Sequence, residues 1–172
     1  MLPLESGLAV LVPGAEALVG SFPSPSAAAG MPAHITLLYP FKPPDEIGDA
    51  AIEKLNQCFA GFRAFDFTLA TIRRFPGGVL YLAPEPDESF RRLTMAVWDC
   101  YPETPPYGGR YSNIMPHLTV AQLTDEQQAD QVVCEFTRAS QGRFANHATA
   151  REIALMDTLA GIWQVRTIFA LS

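Results

Sequence analysis

Three histidines occur in this chain, and each is followed two positions later by a threonine: His34/Thr36, His117/Thr119 and His147/Thr149. Alternate residues of a β-strand project from one face, about 7 Å apart along the backbone, whereas on a helix they diverge by about 200°. On a strand, therefore, each pair sets an imidazole beside a hydroxyl. Imidazole changes charge near neutrality, with an unperturbed pKa of about 6.5, so two of them serve as one base and one acid at the same pH. Proton transfer by such a positioned group is worth ~10²–10⁴ in rate. A hydroxyl donates to a non-bridging phosphoryl oxygen. Two such units on opposite sides of one phosphorus suit an in-line displacement, in which one oxygen loses a proton while another gains one.

The surroundings separate two of the copies from the third. Met31-Pro32-Ala33-His34-Ile35-Thr36-Leu37 matches Met115-Pro116-His117-Leu118-Thr119-Val120 once a single residue is skipped, and each heads an apolar run. Asn146-His147-Ala148-Thr149 has neither the proline nor the run, and reads as surface at a strand entrance. Strict alternation puts Leu38 on the face of His34 and Thr36, with Ile35, Leu37 and Tyr39 opposite; it puts Ala121 with His117 and Thr119. A histidine bonded to a nearby backbone carbonyl accounts for one such motif. Two matched copies point to one site built from both. A metal centre is the weaker reading, since there is no HExxH and no paired cysteine to complete a ligand set.

The elements that must carry these residues follow from periodicity and punctuation. Leu8–Pro13 reads as a first strand, 14–22 as one or two helical turns, and His34–Tyr39 as a second strand stopped by Pro40. A helix opens at Pro43-Pro44-Asp45 with Ile47, Ala51, Leu55 and Phe59 spaced by four. Phe65–Ile72 alternates and turns at Gly77-Gly78 into Val79–Ala83, a hairpin. A helix from Pro86 to about Tyr101 groups Phe90, Leu93, Val97 and Trp98. A loop rich in proline, glycine and tyrosine then leads to the strand His117–Leu123. Thr124 begins a capping pattern for a helix to about Ser140. Strands over about Thr149–Asp157 and Trp163–Ala170 complete an α+β order of some seven strands and three good helices. The repeated rhythm predicts two lobes facing each other across a cleft, each giving one motif copy.

Composition narrows the class. The chain has 172 residues, 48% apolar and 17% charged, a length for one compact domain. No run reaches the ~18 apolar residues of a membrane span, and the N-terminus lacks the basic flank of a signal peptide. Three widely spaced cysteines, Cys58, Cys100 and Cys134, without a CxxC pair, fit core or helix-face thiols in a reducing compartment. The expectation is a soluble, cytoplasmic protein, a monomer without membrane partners. Twelve bases against 18 acids give a net charge of −6, the wrong sign for gripping DNA or long RNA by its phosphates. With only two lysines, Lys42 and Lys54, a local phosphate clamp falls to arginine. Arg110 lies in a Gly-flanked loop before His117, bracketed by Tyr107 and Tyr111, which can stack a base. Arg73-Arg74 end a strand, Phe41 follows the first motif as a wall for the cleft or as core, and Trp163 reads as core.

PAHITLLYPF and MPHLTVA resemble the paired H-x-[ST]-x motifs of the 2H phosphoesterase superfamily, in particular its bacterial 2'-5' RNA ligase-like (LigT-like) proteins. The likeness runs through nearly the whole chain in order, with the two histidines 83 positions apart. It implies an α+β, bilobal fold: two mixed or antiparallel sheets related by a pseudo-twofold about a central cleft, with helices outside. It implies chemistry without metal or other cofactor on 2',3'-cyclic or 2'-5' phosphodiester linkages of a small nucleotide or RNA terminus. Carried over to this sequence, His34 and His117 are the acid–base pair and Thr36 and Thr119 the ligands of the phosphate oxygens. RNA 2'-5' ligation, with a ribose hydroxyl replacing water, is a second reading. A nucleotide-binding module without catalysis is a third, separated from the others by binding without turnover.

Overall fold

The computed structural model describes residues 1–140 and 146–172. Eight strands among them form one antiparallel, strongly curled sheet in the order β6-β3-β4-β5-β2-β1-β7-β8. The strands are β1 (Ser6–Leu11), β2 (His34–Leu38), β3 (Phe65–Phe75), β4 (Val79–Glu85), β5 (Leu118–Gln122), β6 (Asn146–Ala150), β7 (Glu152–Asp157) and β8 (Gln164–Ala170). The motif-bearing strands β2 and β5 meet at the centre through the register pair Ile35↔Leu118, where two four-stranded halves join. Both residues of the pair are fully buried. By alternation, this sends His34, Thr36, His117 and Thr119 to the other face.

Each motif strand carries one residue more than its outer neighbour. Leu8 and Ala9 of β1 are consecutive, yet face Leu38 and Thr36; Leu80 and Tyr81 of β4 face Ala121 and Thr119. The extra residues are Leu37 and Val120, each three positions after its histidine. A bulge of this kind reverses the facing of everything beyond it. Strict alternation is therefore corrected here: Leu38 and Ala121 are fully buried, while Tyr39 and Gln122, each five positions after its histidine, turn to the motif side.

Among the described residues the α-helices are two short ones, α1 (Glu16–Val19) and α2 (Pro25–Ala28), and three long ones, α3 (Asp49–Phe59), α4 (Glu88–Cys100) and α5 (Glu126–Ser140). Leu55 and Phe59 of α3 and Phe90, Leu93 and Val97 of α4 pack into the main core with Leu8, Ile35, Leu118 and Leu155. A smaller cluster of Leu80, Ala121, Leu123, Ala129 and Val132 seats α5 on β4 and β5. No helix among the described residues is long and apolar enough to cross a membrane.

Three expectations shift locally. The helix expected from Pro43 forms a 3-10 turn over Pro44–Glu46 and starts anew at Asp49, because Ile47 is drawn into the core in an extended conformation. The cap of α5 is Asp125, whose Oδ1 accepts the Gln127 N–H at 2.8 Å, one residue after Thr124. The single strand expected over Thr149–Asp157 is divided at Arg151: β6 pairs with β3 on one half-sheet and β7 with β1 on the other.

Candidate active site

The two motifs open into one cleft of about 880 Å³ whose lining includes His34, Thr36, His117 and Thr119. Continuing the Ile35↔Leu118 register by one residue each way sets His34 across from Thr119 and Thr36 across from His117. Each imidazole is thus paired with the hydroxyl of the other copy as well as its own.

The two rings are held alike. His34 Nδ1 lies 2.7 Å from the carbonyl oxygen of Pro32, and His117 Nδ1 lies 2.8 Å from that of Met115, two residues upstream in both cases. A carbonyl only accepts, so Nδ1 carries the hydrogen in each ring and Nε2 is left as the nitrogen available to the cleft. Burial pushes the His34 pKa below its ordinary value; the Pro32 carbonyl opposes that, the neighbouring His117 adds to it, and the Glu16 carboxylate opposes it. Burial lowers His117 too, against the pull of the Met115 carbonyl. Both rings therefore favour the neutral form until an anion arrives.

Aromatic side chains surround His117. Phe75 and Tyr81 stack on each other with centroids 3.9 Å apart and present their edges or faces to the imidazole at 5.1 and 5.7 Å. Tyr107 lies parallel to it at 6.4 Å. Phe75 and Val79 reach the cleft from the β3–β4 hairpin, whose turn depends on Gly78. Its φ is +88°, and a Cβ there would fall 1.6 Å from the Leu123 carbonyl oxygen, so the hairpin tip lies directly on the end of β5. Tyr107 itself holds a left-handed φ of 51°, fixed by its N–H to the Tyr39 carbonyl at 2.6 Å. Burial raises its phenol pKa while neighbouring Thr36 draws it back, so one ring lies beside both motifs.

The other expected site residues separate into two groups. Arg110 and Tyr111 line the cleft, with Tyr111 edge-on to Tyr107 at 5.7 Å. Phe41 does not wall the cleft. It is buried in the core, edge-on to Tyr101 at 5.0 Å, because the chain turns after Pro40 and the Phe41 N–H bonds back to the Ser6 carbonyl. Arg73 and Arg74 are outside the lining and pair with Glu85 and Asp130. His147 bonds Thr68 at 3.0 Å on the exposed side of β6. Trp163, expected in the core, lines the cleft instead, edge-on to Tyr39 at 6.1 Å. Tyr39, Phe75 and Glu5 also line it and were not singled out by spacing. Tyr39 was hidden by the bulge, and the others lie far from either motif in sequence.

The match to a family model described as the 2'-5' RNA ligase superfamily extends over residues 12–161. The chain belongs to this superfamily. Comparison with curated proteins gives no match. Among solved structures, that of TT0787 from Thermus thermophilus superposes with a TM-score of 0.67 at 17% identity, covering 97% of both chains. E. coli LigT in complex with 3'-AMP gives 0.62 at 15% identity over 99% of both, and a protein described as a phosphoesterase gives 0.61 at 15%, again over 99% of both. At such identities the likeness is one of fold: this superfamily chain has a LigT-like fold.

Proposed function

We propose that this superfamily member is a phosphodiesterase that acts on 2',3'-cyclic phosphate or 2'-5' linkages of small nucleotides or RNA termini, with His34 and His117 as its acid–base pair and no metal or cofactor. The observation that carries the reading is the identical latch of two imidazoles by Nδ1, both in one cleft and each flanked by a threonine.

For a 2',3'-cyclic phosphate, the neutral imidazole takes a proton from water through Nε2 as the water oxygen bonds to phosphorus. The bond from phosphorus to one ribose oxygen breaks, and the second imidazole, as imidazolium, protonates that oxygen. The pair ends with its protonation exchanged, and solvent restores it. Thr36 and Thr119 donate to the non-bridging oxygens. Among the described residues Arg110 is the cation of the lining, with Tyr107 and Tyr111 as base-stacking surfaces. The bound 3'-AMP of the LigT structure is a nucleoside monophosphate of the kind this reaction releases. The superfamily's name keeps 2'-5' ligation as a second reading, the same transfer with a ribose hydroxyl in the place of water.

The test is turnover of 2',3'-cyclic nucleotides. His34→Ala and His117→Ala are each expected to lower kcat/KM by ~10² or more. The wild-type profile is expected to be bell-shaped with its apex on the acid side of about 6.5, since burial lowers both rings. Retention of the full rate in both variants would overturn the assignment.

A further inference from the structure

Among the described residues, one carboxylate lines the cleft. Glu5 enters it just before β1, and repulsion of an anionic substrate makes it a costly occupant unless it meets a hydrogen-bond donor. Its backbone is fixed from both sides by Thr158, whose Oγ1 accepts the Glu5 N–H at 2.9 Å and whose own N–H reaches the Glu5 carbonyl. Its side chain makes no ion pair among the described residues and shares the cleft lining with the Tyr39 phenol. Burial first, then the nearby Glu5 carboxylate, push the Tyr39 pKa up to about 12, so the phenol stays a donor, and the carboxylate has acceptor capacity to spare for a ligand.

Spacing relates Glu5 to the motifs. Glu5, one residue ahead of β1, alternates with Gly7 and Ala9 of that strand; all three line the cleft, and Ala9 is the register partner of Thr36. Four residues of strand put Glu5 about 13 Å along the backbone from the Thr36 end, with the cleft between them. Between them the floor is flat. Ala9 offers a methyl and Gly7 nothing, and a Cβ on Gly7 would press on the Leu38 carbonyl oxygen at 3.3 Å and the Tyr39 ring at 3.4 Å. Tyr39 and Trp163, edge to face, stand beside that floor.

We propose that Glu5, Tyr39 and Trp163 form a base-recognition arm of the cleft that selects guanine. The proposal rests on the phosphodiesterase reading for the position of the phosphate. Aromatic rings stack any base, whereas a carboxylate only accepts hydrogen bonds. Guanine alone among the four bases offers two adjacent donors, N1–H and the N2 amino group, to the two oxygens of one carboxylate. Adenine and cytosine present one amino group beside a ring-nitrogen acceptor, and uracil sets its single N–H between two carbonyls, so each turns an acceptor toward Glu5.

The experiment compares kcat/KM for the four 2',3'-cyclic nucleotides, and calorimetric binding of the four nucleoside 3'-monophosphates, in the wild type and in Glu5→Gln. Wild type is expected to favour guanosine over uridine by about tenfold or more, within the range of a bidentate contact. In Glu5→Gln that ratio falls toward one. Equal use of the four bases by wild type, or an unchanged ratio in the variant, overturns the arm while the phosphodiesterase reading stands. A drop of equal size for all four bases also overturns it, because that is what a packing role for Glu5 produces. Glu5-dependent binding of 3'-GMP without turnover of any cyclic nucleotide keeps the arm and removes the reaction. Neither turnover nor preference removes both.

Discussion

His34 and His117 have pKa values depressed by burial, which links protons to folding as well as to turnover. The unfolded chain protonates its imidazoles near 6.5, whereas the folded chain holds these two neutral to lower pH. The unfolded state therefore binds more protons in that window, and stability rises with pH there. Their contribution is complete above about 6.5 and is lost as pH falls toward the depressed folded values. Melting temperature is expected to fall between pH 7.5 and 5.5, and to fall less steeply in a His34→Gln/His117→Gln variant; equal slopes would contradict the depressed values. At this scale the sequence was informative where chemistry is local. The i, i+2 rule grouped imidazole and hydroxyl, and His34, Thr36, His117 and Thr119 all line one cleft. The sequence left Phe41 between wall and core and put Trp163 in the core, because facing beyond Pro40 and packing around the cleft depend on tertiary contacts that sequence neighbours do not encode.

Helix α4 connects both motif strands to the core. The buried hydroxyl of Thr94 donates to the Leu37 carbonyl at 2.8 Å, which is the bulge residue of β2. Three residues earlier on the helix, Arg91 is held by Asp87 and donates to the Ile114 carbonyl, just ahead of the Met115-Pro116-His117 approach. One helix thus supports the irregular point of the first motif and the entrance to the second. Thr94→Val keeps the side-chain volume but leaves the Leu37 carbonyl without its donor, a loss of about 1–3 kcal/mol. Urea denaturation is expected to show that loss in the midpoint with little change in slope. Periodicity located α4 within two residues at its start and one at its end, since its apolar face is regular. It could not disclose these two hydrogen bonds, which span 57 and 23 positions. Nor could it separate β6 from β7, because an extended chain looks the same whichever sheet edge it joins.

Across the whole molecule, charge argues for a small substrate. The net charge is −6, and Lys42, Arg73, Arg74, Arg91 and Arg166 are engaged in ion pairs with acidic side chains. Among the described residues, Arg110 is the cation of the cleft lining. A nucleic acid held along a groove would release one counterion for each phosphate neutralised and give a steep dependence on salt. For a cyclic-phosphate-ended oligonucleotide, the slope of log kcat/KM against log salt is expected to be no steeper than about −1. A slope of about −3 or beyond would reveal a cationic track that the ion pairs argue against. The sequence disclosed the charge balance and the matched halves. The seam between those halves, one buried pair of Ile35 and Leu118, required the strand order.

The latch on each imidazole has a consequence for inheritance. The groups that assign the ring hydrogens, at Pro32 and Met115, belong to the main chain, and every amino acid brings the same carbonyl. Substitution upstream of either ring can alter fit but cannot delete the acceptor, provided the backbone path is kept. The two rings are in this respect insulated from drift, while the walls that meet a substrate stay free to diversify. Such an arrangement suits a fold whose solved relatives here share only 15–17% of their residues with this chain.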